Sequence, residues 1–152
     1  MFALHPKGML ETLAESEVLA RNSAFYDAFN ARDMDAMDDL WAQSAPCVCL
    51  HPGSAALHGR SSVIRSWRAI LASAGAPRVQ IEGPRVVMLG DAAMVLCYER
   101  VTDPETGTGA VLAATNVFVR ESGDWRLVHH HSSAIGRIVA DSVPPSPKTA
   151  LN

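Results

Sequence analysis

The chain predicts an α+β domain, a curved antiparallel sheet with three helices packed on one of its faces. Segments of helical period fill the first half, and strand-like segments follow without the alternation that parallel βαβ units require. The strand-like segments are divided by Gly90-Asp91, by Asp103-Pro104-Glu105-Thr106-Gly107 and by Ser122-Gly123-Asp124, turn signals spaced for antiparallel hairpins. A curved sheet covered by helices encloses a cavity near its open end.

Each element has its own signal. Residues 1–9 read as an irregular lead-in, and residues 10–135 as the single domain. The first helix runs from about Leu10 to Asn30, with Leu10, Leu13, Val18, Phe25, Ala28 and Phe29 at mostly helical spacing. Asp33 is placed to cap a second helix, which carries Met34, Met37, Leu40 and Trp41 on one face and stops before Pro46. Residues Cys47 to His51 form a short strand ended by Pro52-Gly53. A third helix opens after Gly59, bears Val63, Ile64, Trp67, Ile70 and Leu71, and ends at Gly75-Ala76-Pro77. Strands are then expected over residues 78–82, 84–89, 92–102, 109–121 and 125–133. Residues 136–152, with Pro144, Pro145 and Pro147, read as a flexible tail.

Bulk properties exclude several classes. A chain of 152 residues forms one domain and buries roughly 68–70% of the surface its unfolded form exposes. The formal net charge is −3, and Arg60, Arg65, Arg68, Arg78, Arg85 and Arg100 are scattered, with no basic run to meet a phosphate backbone. A nucleic-acid partner is not expected. No apolar run approaches the ~20 residues of a bilayer span, and the N-terminus lacks a secretory pattern. Cys47, Cys49 and Cys97 cannot all pair, so a soluble protein of the reducing cytoplasm is expected, without a membrane partner. No phosphate loop, dinucleotide fingerprint or serine-histidine-acid order stands in a suitable context, and no cofactor is expected.

Three stretches resemble the nuclear transport factor 2-like superfamily, in its SnoaL-like and ketosteroid-isomerase-like branch. They are Phe25 to Met37 with Leu40-Trp41-Ala42, then His51-Pro52-Gly53 with His58-Gly59-Arg60, and finally Gly123 to Ser132. The resemblance spans about Glu15 to Ser133. It implies a cone-shaped barrel with the helices on its concave face, an apolar cavity, and a homodimer formed through the sheet. That scaffold hosts isomerases, cyclases, dehydratases, hydrolases and binding domains, so fold alone does not select the chemistry.

The resemblance also nominates residues. Ketosteroid-isomerase-like members pair a helix-1 tyrosine with a protonated acid as an oxyanion hole, while a second acid moves the proton. The tyrosine position corresponds to Tyr26, the proton carrier to His51 in place of aspartate, and the second acid to Asn116. A neutral histidine accepts a proton near pH 7, and an asparagine amide donates a hydrogen bond without protonation. The alternative is that Tyr26 caps the cavity and His51 bonds a carbonyl at the strand end. In the last strand, period-two alternation puts Trp125, Leu127, His129 and His131 on one face. The family pattern gives the pocket role to His131, unless a bulge shifts the parity.

Further candidate ligand contacts are Trp41, Trp67, Cys49, His129 and Glu99. Facing inward, Glu99 is a carboxyl acid or base of raised pKa; facing outward, the simpler reading, it is a solvated charge beside Arg100. Cys47, Cys49 and His51 share a strand face at roughly 6–7 Å intervals, too wide for neighbouring ligands of one tetrahedral ion, so no metal is expected. The leading functional reading is a cofactor-independent isomerase or lyase acting on a small apolar carbonyl compound. A non-catalytic binding or dimerisation module competes with it, as does a sheet that only oligomerises, with Met, Leu and Trp side chains filling the cavity.

Overall fold

The computed structural model describes residues 6–135. Helix α1 spans Pro6–Ala31, and its buried stripe is Val18, Asn22, Phe25, Tyr26 and Phe29, at helical spacing. It starts earlier than expected, at a proline whose missing N–H is no loss in a first turn. The second half of the expected lead-in is therefore helical. Leu10 and Leu13 lie exposed, so the apolar stripe begins only at Val18. The helix ends with Arg32 in the left-handed region (φ 58°), where Arg32 N–H donates to Phe29 O and Asp33 N–H to Ala28 O.

Helix α2 spans Met34–Leu40, and the Asp33 carboxylate caps it by accepting from Ala36 N–H at 3.0 Å. Strands β1 (Val48–Leu50) and β2 (Leu57–His58) precede α3 (Arg60–Ala72). The guanidinium of Arg60 reaches back to the carbonyls of Asp38, Trp41 and Ala42 at the end of α2, and to the Asp38 carboxylate at 2.9 Å. It thereby satisfies acceptors that a helix C-terminus leaves open.

The meander β3 (Arg78–Leu89), β4 (Ala92–Thr102), β5 (Gly109–Glu121) and β6 (Asp124–Ala134) forms the rest of the sheet. The two strands expected over 78–89 are one, bent where the register shifts between Glu82 and Arg85 around Gly83 (φ 57°) and Pro84. Strand order is β2-β1-β6-β5-β4-β3. The meander is antiparallel, but β1 runs parallel to β6, pairing Leu50 with His131. The sheet is therefore mixed and open, with β2 and β3 as its edges. No hairpin joins β1 to β6, so turn chemistry does not fix their relative direction.

Helix α1 packs on β3, β4 and β6, and α3 on β1 and β2. The side chain of Asn30 ties the end of α1 to the start of β3, donating to Val79 O at 2.7 Å and accepting from Val79 N–H at 2.9 Å. A second irregularity decides the site. On β6 the register steps from Val117↔His129 to Phe118↔Leu127, leaving Val128 as an extra residue. Trp125 and Leu127 face the helices, but beyond the bulge so do His130 and Ser132.

Candidate functional site

A cavity of about 190 Å³ is walled by α1, α3 and the inner face of the sheet. Phe25 and Phe29 from α1, Trp67 and Ile70 from α3, and Val79, Val101 and Leu112 from the sheet make it apolar. Trp67 meets the rings of His51 and Phe25 edge-on, at centroid distances of 4.7 and 5.3 Å. The polar groups on the wall are Tyr26, His51, Glu99, His130 and Ser132.

Those groups belong to a directed hydrogen-bond network. Asn116 donates both amide hydrogens internally, to Asn22 Oδ1 at 2.8 Å and to the Tyr26 hydroxyl at 3.1 Å. Its Oδ1, 2.6 Å from Nδ1 of His130, is therefore the acceptor. His130 carries its proton on Nδ1 and keeps a lone pair on Nε2. The Tyr26 hydroxyl donates onward to Glu99 Oε1 at 2.8 Å, and Ser132 donates to Oε2. Nε2 of His130 lies 3.9 Å from Glu99 Oε1.

His51 is set separately. Ser66 donates to Val63 O at 2.8 Å, so its oxygen receives Nε2–H of His51, also at 2.8 Å. Nδ1 of His51 then holds a lone pair, with no protein partner among the described residues.

Burial sets the charges. It raises the Glu99 carboxyl above its ordinary value, against the lowering effect of the Ser132 and Tyr26 bonds. No lysine or arginine lines the wall to hold it ionised. Burial also lowers His51, pushes fully enclosed His130 down to about 3, and raises the Tyr26 phenol. The polar end of the cavity thus combines a carboxyl whose pKa burial raises with two imidazoles whose pKa values burial lowers.

Of the residues nominated by sequence, Tyr26, His51, Trp67 and Glu99 line the cavity. Glu99 faces inward and is 4% exposed, against the simpler expectation of a solvated charge. Asn116 is fully buried behind Tyr26 with its hydrogens committed, so it orients neighbours and does not present a free donor. His131 is exposed and His129 half-buried on the outer face, because the Val128 bulge reverses the parity. Trp41 is core, bridging to Leu127 rather than reaching the cavity. Cys49 is fully buried behind His51, its thiol 3.9 Å from Nε2 and pushed up to about 12 by burial. Sequence reasoning missed His130, Ser132 and Ser66 as site residues. Only the bulge would have revealed the first two, and the i, i+3 bond to Val63 the third. Among the described residues no cluster of three or more His, Cys, Asp or Glu could hold a metal.

An α+β cone whose helices and sheet wall an apolar cavity defines a nuclear transport factor 2-like protein. Residues 18–136 match the SnoaL-like domain, and the chain belongs to that family. A Streptomyces avermitilis protein of the NTF2-like family, provisionally named a dehydratase, superposes with TM-score 0.78 at 30% identity, over 84% of this chain and 99% of that one. A Thiobacillus denitrificans protein, provisionally named a calcium/calmodulin-dependent protein kinase type II association domain, gives TM-score 0.69 at 34% identity, over 77% and 94%. Among curated proteins, F-box protein SKIP8 of Arabidopsis thaliana is 30% identical over 120 residues, which are 78% of this chain. The chain spans about half (49%) of that relative's length. No helix among the described residues is long and apolar enough to cross a membrane.

Proposed function

We propose that the cavity is the active site of a cofactor-independent isomerase or lyase acting by proton transfer on a small apolar carbonyl compound. One observation carries this: a histidine with a free lone pair and a buried carboxyl of raised pKa line one apolar hollow. His51 Nδ1 takes a proton from the carbon beside the carbonyl, and Glu99 gives its proton to the carbonyl oxygen, producing an enol and an ionised Glu99. Return of the His51 proton to a different carbon, with the enol proton passing back to Glu99, isomerises the compound; departure of a leaving group that takes the His51 proton, with the enol proton again returned to Glu99, gives elimination. Tyr26 and Ser132 stabilise the Glu99 carboxylate as it forms. The provisional dehydratase name of the Streptomyces relative supports the elimination variant.

In heavy water the protein should exchange the α-hydrogens of a small ketone such as cyclohexanone for deuterium, followed by NMR. His51→Ala should slow exchange by about 100-fold or more. Unchanged exchange removes His51 from the mechanism. The second reading is a non-catalytic binding or association module, supported by the name of the Thiobacillus relative. It predicts binding without exchange. In either case we propose a homodimer through the outer sheet face, where Val87, Leu89 and Leu96 are exposed. Cys47, Cys49 and Cys97 are free and buried, which supports residence in the cytoplasm.

A further inference from the structure

The hydrogen-bond directions around the cavity specify what a ligand must offer there. Nδ1–H of His130 is committed to Asn116, so its Nε2 can only accept. The Glu99 oxygens accept from Tyr26 and Ser132, and in its neutral form the carboxyl has one proton of its own to give. Oε1 and Nε2 stand 3.9 Å apart on the same wall, both within hydrogen-bond reach of a single atom seated between them. A carbonyl oxygen there would accept from Glu99 but set its lone pairs against that of His130. An ammonium would bring a charge that must be desolvated together with an ionised Glu99, which is costly in an apolar enclosure. A hydroxyl does both tasks, accepting from Glu99 and donating to His130.

Volume sets the rest of the molecule. An apolar cavity of about 150 Å³ holds benzene, and this one measures about 190 Å³ between aromatic walls. We infer that the cavity takes a hydroxyl-bearing compound about one ring in size, its oxygen lodged between Glu99 and His130. For a substrate, this oxygen is the one that Glu99 protonates in the proposed step, and the hydroxyl so formed on the enol donates to Nε2 of His130. The inference rests on the proposed function only in treating this cavity as the substrate site.

The test uses the unmodified protein and four probes of one ring: phenol, toluene, benzaldehyde and benzylamine. Affinities come from calorimetry, and nitrogen-15 NMR of the histidines identifies protonation sites. Phenol, which forms two hydrogen bonds there where toluene forms none, should bind at least about tenfold tighter than toluene. It should also outcompete benzaldehyde and benzylamine and move the Nε2 signal of His130. The inference is overturned if phenol fails to bind at millimolar concentration, if any other probe binds as tightly, or if phenol leaves Nε2 unmoved. Deuterium exchange without a phenol preference would sink this inference alone, and the preference without exchange would sink only the enzymatic reading.

Discussion

Glu99 and His130 respond to burial in opposite directions, and folding stability inherits both. His130 falls from 6.5 to about 3, so the unfolded chain binds its proton first as pH drops. Its contribution is complete above 6.5 and is lost as pH falls toward 3. Glu99 is raised above 4.5, so its contribution is complete below 4.5 and is lost as pH rises through the raised value. His130→Gln should therefore flatten the acid limb of the urea midpoint against pH, and Glu99→Gln should flatten the decline above 4.5. An acid limb equally steep in His130→Gln and wild type would contradict this assignment. Ser66 acts on the other imidazole by fixing Nε2–H of His51. Nitrogen-15 NMR should show mixed tautomers in Ser66→Ala and a single one in Ser66→Thr. Exchange of a bound ketone should slow by about tenfold in the alanine variant, since half-filled or misdirected bases lose part of the general-base contribution. A single His51 tautomer in Ser66→Ala would show that the serine does not set it.

Arg60 shows how one side chain joins elements. It binds the last carbonyls of α2 from the first turn of α3, with its side chain 23% exposed. Arg60→Ala should cost about 2 kcal/mol in urea unfolding, the scale of hydrogen bonds from a charged donor. Arg60→Lys should recover less than half of this, because an ammonium cannot reproduce the planar fork. Full recovery would mean that charge alone suffices. The sequence places Arg60 behind Gly59, yet nothing local shows that it reaches back to α2. The same limit applies along β6. Alternation puts Trp125 and Leu127 on one face, and both are buried. Which histidine follows them inward depends on Val128 dropping out of register with β5, a property of the pair of strands and not of either one. The helical stripe from Val18 to Phe29 was legible because burial repeats with the backbone period. The roles of Asn116 and Glu99 were not, because proton direction is set by partners brought from other elements, Asn22 and Tyr26 among them.

At the scale of the whole molecule, the sheet has two faces with different fates. Helices cover the inner one, while the outer face carries Val87 and Leu89 on β3, Leu96 on β4, and His129 and His131 on β6. Three of these apolar side chains are 40–56% exposed. Isolated exposed leucines are ordinary, but Val87, Leu89 and Leu96 sit on adjacent strands, with Arg85 paired to Leu96 and Val87 to Met94. A second copy applied to this face would cover them and leave the cavity, on the opposite side of the sheet, untouched. Leu96→Glu would bury a carboxylate in such a contact on both copies, at a cost large enough to dissociate it. Sedimentation equilibrium should give a dimer for the wild type and a monomer for Leu96→Glu. Phenol affinity should differ between them by less than about twofold, because the substituted side chain points away from the cavity wall. A wild type that sediments as a monomer, or a Leu96→Glu variant that remains dimeric, would locate self-association elsewhere or remove it from this chain.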